Sequence, residues 1–125
     1  MSESSAASGG FTVRRLAEAG AYQAPNHFDV RSMRLIGLEA GGSTGFWVGL
    51  SHLLPGGGAG PDSSPVEKVY VVTAGEITVE VDGKLHVLKP MDSCCIGPGV
   101  VRTVTNKTNA VASMLVIMPP PPKAA

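Results

Sequence analysis

The residues most able to do chemistry lie in two short stretches that mix charged side chains with glycine. The first stretch contains Asp62, Ser64 and Lys68, and the second contains Arg102 and Asn106. A carboxylate, an amine whose pKa the surroundings can shift and a planar guanidinium are groups used in acid–base catalysis and anion binding. These residues are therefore the first candidates for a functional site.

Strand alternation predicts which of these side chains share a face. If both stretches are strands, Lys68 lies on the same face as Tyr70, and Arg102 on the same face as Asn106. A one-residue slip in the first strand, caused by a β-bulge, would turn Glu67 to that face instead.

The elements that carry the candidates are predicted to be strands. From residue 33 onward, apolar and β-branched residues come in short runs separated by Gly, Pro, Asp and Asn. The predicted strands are Met33–Leu38, Phe46–Leu54, Val66–Val72, Ile77–Val81, Leu85–Leu88, Ser93–Ile96, Val101–Thr105 and Ala112–Met118. Short strands at this spacing are typical of a sandwich or barrel. Asp82-Gly83 favours a tight hairpin, and Pro55–Gly58 and Gly97–Gly99 indicate sharp reversals.

The two ends of the chain differ from this middle region. Residues 1–10 are rich in Ser, Ala and Gly and are predicted to be disordered, and residues 119–125 form a Pro-rich tail. Residues 11–118 are left as a single domain. Within it, Thr12–Ala19 predicts one short helix, with Gly20 as a stop.

The two stretches resemble the paired motifs of the cupin superfamily. The first stretch keeps the spacing of the first motif at Gly56, Asp62, Ser64, Lys68 and Gly75, and the second keeps that of the second motif at Met91, Gly97, Gly99, Arg102 and Asn106. Cupins carry Gly at the position of Met91 and Pro at the position of Gly97. The fifteen residues between Gly75 and Met91 also match the inter-motif loop of small single-domain cupins. The resemblance implies an all-β fold: a double-stranded β-helix, or jelly-roll barrel, with a short helical or extended N-terminal segment. It also implies a homodimer.

The same resemblance implies that the usual metal ligands are replaced. Cupins have His, His and Glu at the positions of Asp62, Ser64 and Lys68, and His at the position of Arg102. If these positions face the barrel interior, as they do in the family, two cations meet in a partly apolar cavity. That arrangement is unfavourable unless an anion lies between them. We therefore expect no metal and no other cofactor.

Roles can be assigned on this basis. We expect Asp62, Lys68, His52 and Tyr70 to be catalytic, and Arg102, Lys68, Ser64 and Asn106 to bind substrate. One alternative is that Asp62 merely bridges the two cations in a structural salt bridge. Another is a rebuilt metal site formed by some of His27, His52, Asp62, Cys94 and Cys95.

The three histidines leave further alternatives open. By alternation, His52 lies on an apolar strand face, so it is either a core residue or a proton shuttle at the pocket. His27 belongs to an N-terminal segment that either reaches the site or stays on the surface. His86 is expected to face solvent near the hairpin.

The resulting hypothesis is a metal-independent lyase or isomerase that acts on a small anionic or polar organic substrate. A non-catalytic binding or sensing module, a metal-dependent oxygenase or decarboxylase with a rebuilt ligand set, and a purely structural barrel are the alternatives. Fold alone does not choose among these functions.

Composition narrows the possible partners and location. Ten basic and ten acidic side chains balance, and aromatic residues make up only 5% of the 125 residues. Binding to nucleic acid or to an anionic membrane surface is therefore not expected. Adjacent cysteines at 94 and 95, without a secretion signal, favour the cytoplasm of a bacterium.

Overall fold

The computed structural model describes residues 5–8 and 10–121 of the chain. Its eleven strands are β1 (Ser5–Ser8), β2 (Phe11–Arg14), β3 (Gly20–Tyr22), β4 (His27–Ile36), β5 (Trp47–Asp62), β6 (Lys68–Ala74), β7 (Ile77–Val81), β8 (Lys84–Leu88), β9 (Ser93–Ile96), β10 (Arg102–Thr105) and β11 (Ala112–Met118). Two single-turn 3₁₀ helices lie at Leu16–Glu18 and Leu38–Ala40. The all-β fold that the sequence predicts is confirmed.

The long strand β5 belongs to both walls of the barrel. Its first half, residues 47–53, pairs with β11 and with residues 30–36 of β4, and β11 pairs in turn with β6, which pairs with β9. The start of β4, residues 27–28, pairs with residues 58–59 in the second half of β5. Its second half, residues 58–62, pairs with β10, which leads through β7 to β8. All of these pairings are antiparallel. Because the two halves of β5 pair with different strands, β5 connects the two walls of the barrel, as strands do in a jelly roll.

The corner of β5 corrects one sequence prediction. Pro55–Gly58 was expected to reverse the chain, but the strand bends there and continues. Gly57 and Gly58 allow the bend because they pass very close to other strands. A Cβ on Gly57 would lie 2.3 Å from the carbonyl oxygen of Asp29, and one on Gly58 would lie 2.0 Å from that of Val104. Other residue types would clash at both positions.

The remaining turns follow the sequence. Asp82 and Gly83 both have positive φ angles, 52° and 75°, and close the β7–β8 hairpin as predicted. Met91 also has a positive φ, 71°, and its amide donates a 2.7 Å hydrogen bond to the carbonyl of Val72. A left-handed backbone at this position is consistent with the glycine that cupin motifs carry there.

The register of the first motif strand has no slip. Lys68, Tyr70 and Val72 are buried and alternate with more exposed residues, while Glu67 remains exposed. Arg102 and Val104 are buried in the same way on β10. The interior is completed by apolar side chains from both walls, which include Trp47, Leu53, Ile77, Val79, Ile96, Met114 and Val116.

The N-terminal region differs from its prediction. Residues 11–14 form a strand rather than a helix and pair with residues 5–8, a stretch that was predicted to be disordered. The predicted helix fails because its apolar face has no core to pack against: Leu16 is 55% exposed and Val13 is only partly buried. Residues 1–4 and 9, and residues 122–125 of the Pro-rich tail, lie outside the described residues.

The outer surface of the β5–β11–β6 wall is apolar. Two rows of side chains cross its three strands in register: Leu50, Leu115 and Val71 in one row, and Val48, Ile117 and Val69 in the other. All six are only partly buried. We refer to these six residues as the outer apolar face. No helix in the described part of the chain is long and apolar enough to cross a membrane.

Candidate active site

A cavity of about 220 Å³ lies between the two walls. Its polar lining includes Tyr22, His27, Ser51, Asp62, Lys68, Tyr70 and Arg102, and its apolar lining includes Val30, Trp47, Leu53, Val104, Met114, Val116 and Met118. Two of its charged side chains, Lys68 and Arg102, come from β6 and β10, because these strands direct alternate side chains inward. The cavity is therefore a mainly apolar pocket with a few charged groups.

Arg102 and Tyr70 form a hydrogen-bonded pair inside the cavity. The Nε of Arg102 donates a 2.8 Å hydrogen bond to the hydroxyl of Tyr70. Burial raises the pKa of Tyr70, so its hydroxyl stays neutral at physiological pH. The Nη1 of Arg102 is buried and makes no hydrogen bond to the described protein. A buried guanidinium nitrogen without a partner is unfavourable and favours a bound acceptor.

Lys68 is buried beside Arg102, with only 7% of its surface exposed. Desolvation, together with the positive charge of Arg102, lowers the pKa of the Lys68 amine to about 8, while Asp62 opposes that shift. An amine with this pKa exchanges protons readily near neutral pH.

Asp62 lines the same cavity but does not neutralise the two cations by direct contact. It is exposed, and its Oδ1 accepts a 2.8 Å hydrogen bond from the backbone amide of Ser63. Within the described residues, no ion pair of 4.0 Å or less joins Asp62 to Lys68 or Arg102. The structure therefore does not contain the alternative in which Asp62 bridges Lys68 and Arg102 in a structural salt bridge.

His27 reaches the cavity, which settles one of the alternatives left by the sequence. It is half-buried at the start of β4, and its Nδ1 lies 2.7 Å from the carbonyl oxygen of Pro25. Desolvation lowers the pKa of His27, with a smaller contribution from the cations Arg102 and Lys68. The imidazole is therefore neutral at pH 7.

Three other predicted site residues lie outside the cavity. His52 is on the outward side of β5, where its Nδ1 lies 2.7 Å from the Oγ of Ser113. Ser64 is in the loop before β6, and its Oγ accepts a 3.2 Å hydrogen bond from the amide of Val66. Asn106 is fully buried, and its side-chain amide donates hydrogen bonds to the backbone carbonyls of Leu53 and Ala110. We leave all three out of the proposed site.

The aromatic end of the cavity was not predicted from the sequence. Tyr22 and Trp47 meet edge to face with ring centroids 6.1 Å apart, and the guanidinium of Arg34 lies 3.7 Å from the centroid of Tyr22. Beside them, the hydroxyls of Ser32 and Ser51 are 3.0 Å apart. This cluster depends on pairing between β3, β4 and β5, which no local motif encodes.

Comparison with known proteins identifies the family. Residues 49–118, more than half of the chain, match the family model described as the cupin domain. The chain is a cupin. The resemblance on which the fold prediction was based is thereby confirmed.

Relatives of this cupin carry different functional names. A beta-D-galactosidase of Mycobacterium tuberculosis, Rv1717, is 45% identical over 109 residues, which cover 87% of this chain and 94% of that protein. The polyketide cyclase RemF of Streptomyces resistomycificus superposes with a TM-score of 0.73 at 18% identity, covering 82% of this chain and 75% of that one. A predicted oxalate decarboxylase of Thermotoga maritima gives a TM-score of 0.72 at 22% identity, with 84% and 96% covered. The two structural matches show the fold alone.

The donor set of this cupin does not fit the metal that many cupins bind. Lys68 and Arg102 stand at two of the four ligand positions, and both are cations. Within residues 5–8 and 10–121, no group of three or more His, Cys, Asp or Glu side chains is placed to hold a metal ion. Neither Cys94 nor Cys95 lines the cavity. Metal ions bind neutral or anionic side chains, so two cations at the ligand positions do not suit a metal ion.

Proposed function

We propose that this cupin is an acid–base enzyme of the lyase or isomerase type that acts on a small anionic or enolisable organic substrate without a catalytic metal. The observation that carries the proposal is the pair of buried cations, Lys68 and Arg102, neither of which forms an ion pair with a carboxylate of the described residues. Two like charges in a mainly apolar cavity repel each other, and an anion bound between them relieves that repulsion.

The roles follow from the chemistry of each group. Arg102, held by Tyr70, would bind a carboxylate or the oxyanion that develops when a proton leaves carbon. Lys68 would share that charge, and its amine, with a pKa of about 8, can also return a proton. Asp62 stands at the exposed side of the cavity, where it would exchange protons with solvent.

Anion binding and turnover can be tested separately. Titration calorimetry with inorganic sulfate measures binding, and Arg102→Met should weaken it. Protein treated with a metal chelator is then incubated in D₂O with a panel of 2-oxo, 2-hydroxy and unsaturated carboxylic acids. We expect proton NMR to show deuterium uptake or double-bond migration in at least one acid. Binding without exchange would favour the non-catalytic module, and exchange only after a metal is restored would favour the metal-dependent alternative.

A second candidate, hydrolysis of β-D-galactosides, is favoured by the 45% identical relative of that name. Most glycosidases use two carboxyl groups, whereas Asp62 is the single carboxylate among the described residues that line the cavity. Lys68 would then have to act as the acid. Release of p-nitrophenol from p-nitrophenyl β-D-galactoside, lost in Asp62→Asn, would support this candidate. No release above that of the Asp62→Asn variant would reject it.

We also propose that the protein is a homodimer in the bacterial cytoplasm. The outer apolar face supports the dimer, because its six apolar side chains lie in register on three adjacent strands and form one patch. The two unpaired cysteines, Cys94 and Cys95, support a reducing compartment.

A further inference from the structure

His27 stands in the cavity with the charged groups of the two motifs, although it belongs to neither motif. The carbonyl of Pro25, 2.7 Å from Nδ1, can only accept a hydrogen bond, so Nδ1 carries the proton. In the neutral ring the lone pair is then on Nε2. The tautomer is set by the backbone two residues before the histidine itself.

The segment that carries His27 is fixed to the opposite strand. The amide of Gly60 donates a 3.0 Å hydrogen bond to the carbonyl of Asn26, and the Asn26 side chain donates one of 3.0 Å to the carbonyl of Pro61. His27 itself is in register with Ala59 on β5. These contacts hold the imidazole against the part of β5 that leads directly to Asp62.

The charges around the imidazole favour its neutral form. Arg102 and Lys68 both disfavour a positive charge on His27, and Asp62 is the one acidic group among the described residues that favours it. The same two cations stabilise an anion formed next to them. A neutral base beside two cations is the arrangement that proton removal from a weakly acidic C–H requires.

We propose that His27 is the catalytic base of the cavity and that it acts through Nε2. This inference rests on the proposed function and names its proton acceptor. In the step, the Nε2 lone pair takes a proton from substrate carbon and becomes N–H. The C–H electron pair stays on the substrate as an enolate, or it forms a new C=C bond while a leaving group departs from the adjacent carbon with its own bonding electrons. The imidazolium then releases its proton to the product or to solvent, so no oxidant or reductant is needed.

The test uses 5-nitrobenzisoxazole, a small flat probe that reports on any base in an apolar cavity. Removal of its ring C–H proton forms a nitrile as the N–O bond breaks, and the oxygen leaves as a coloured phenolate. We expect the wild-type protein to accelerate this reaction and His27→Gln to lower kcat/KM by about 100-fold. His52→Gln is the matched control, because His52 faces away from the cavity, and it should keep the wild-type rate.

The pH profile provides a second, independent readout. If His27 is the base, the rate rises with pH to a plateau through a pKa below the usual 6.5 of histidine. A rise through the amine pKa of about 8 would assign the proton transfer to Lys68 and overturn the inference. An unchanged rate in His27→Gln, an equal loss in His52→Gln or no acceleration by the wild type would also overturn it. Sulfate binding that depends on Arg102 tests the proposed function separately, so the two can fail independently.

Discussion

The Nε of Arg102 donates a hydrogen bond of 2.8 Å to the hydroxyl of Tyr70, and both side chains are buried in the barrel. The bond uses one of the five N–H groups of the guanidinium and fixes the plane of the other four. Tyr70 is thus a positioning residue for Arg102. Loss of Arg102 should therefore weaken anion binding more than loss of the Tyr70 hydroxyl.

Arg102→Met should weaken sulfate binding by about ten-fold or more, since a charge-assisted hydrogen bond is lost while the barrel stays folded. Tyr70→Phe should weaken it less, by about three-fold, because the charge remains and only its orientation loosens. Titration calorimetry measures both values. His86→Gln, at an exposed position of β8, is the control. Unchanged binding in Arg102→Met would remove Arg102 from the site.

Lys68→Met should make the protein more stable and less able to bind anions. The buried amine forms no ion pair with any carboxylate that the structure describes, so an apolar side chain of similar length removes an unfavourable charge. We expect the free energy of unfolding to rise by about 1–3 kcal/mol. Urea denaturation measures the gain, and sulfate titration the loss. A destabilised variant would show that the ammonium is better compensated than the contacts indicate.

The lowered pKa of Lys68 has consequences at alkaline pH. Sulfate keeps its charge across this range, so its affinity should fall as pH rises through about 8, where the amine loses its proton. Between that value and the ordinary lysine pKa of 10.5, the unfolded chain binds more protons than the folded one, and this group's contribution to stability therefore increases with pH. Lys68→Met should lack both effects. Equal pH dependence in the variant would assign them to other groups.

Leu115→Glu should convert the proposed dimer to a monomer, because Leu115 lies at the middle of one row of the outer apolar face. Burying a carboxylate in an apolar interface is strongly unfavourable. Sedimentation velocity measures the mass in solution. Val87→Glu, on the exposed strand β8, is the matched control and should remain dimeric. A wild-type monomer would reject the dimer outright.

Asn106→Ala should destabilise the fold by about 2–4 kcal/mol and leave the anion affinity of the folded protein unchanged. The Asn106 amide donates to the carbonyls of Leu53 and Ala110 at 2.9 and 2.7 Å, and its Oδ1 accepts from the amide of Thr108 at 2.9 Å. Thermal unfolding measures the loss. A variant that kept its stability but lost sulfate binding would return Asn106 to the site.

The strands were predictable because their signals are local. Ile77–Val81, Ser93–Ile96 and Ala112–Met118 have the bounds that alternation and turn residues indicate, and Asp82-Gly83 forms its hairpin. Alternation predicted that Lys68 shares a face with Tyr70 and Arg102 with Val104, and the cupin resemblance implied that these faces point inward; the buried side chains agree with both.

The rest depends on contacts that are distant in sequence. His52 shares a strand face with the apolar residues Val48 and Leu50, and this face points outward, whereas the inward face carries Gly49 and Ser51. The sequence alone therefore favoured the wrong face. The bend at Gly57 and Gly58 is set by the approach of Asp29 and Val104. His27 reaches the cavity only because β4 pairs with the second half of β5, a relation between residues about thirty positions apart.

The positive charges of Lys68 and Arg102 inside the barrel can be used to identify the natural substrate. A molecule that neutralises Lys68 and Arg102 binds the folded chain and not the unfolded one, so it raises the melting temperature in proportion to the logarithm of its concentration. A metabolite library screened by dye-reported melting, with Arg102→Met run in parallel, would select compounds that act through this cavity. The repulsion between these two buried cations thus gives a measurable signal by which the ligand of this cavity can be identified.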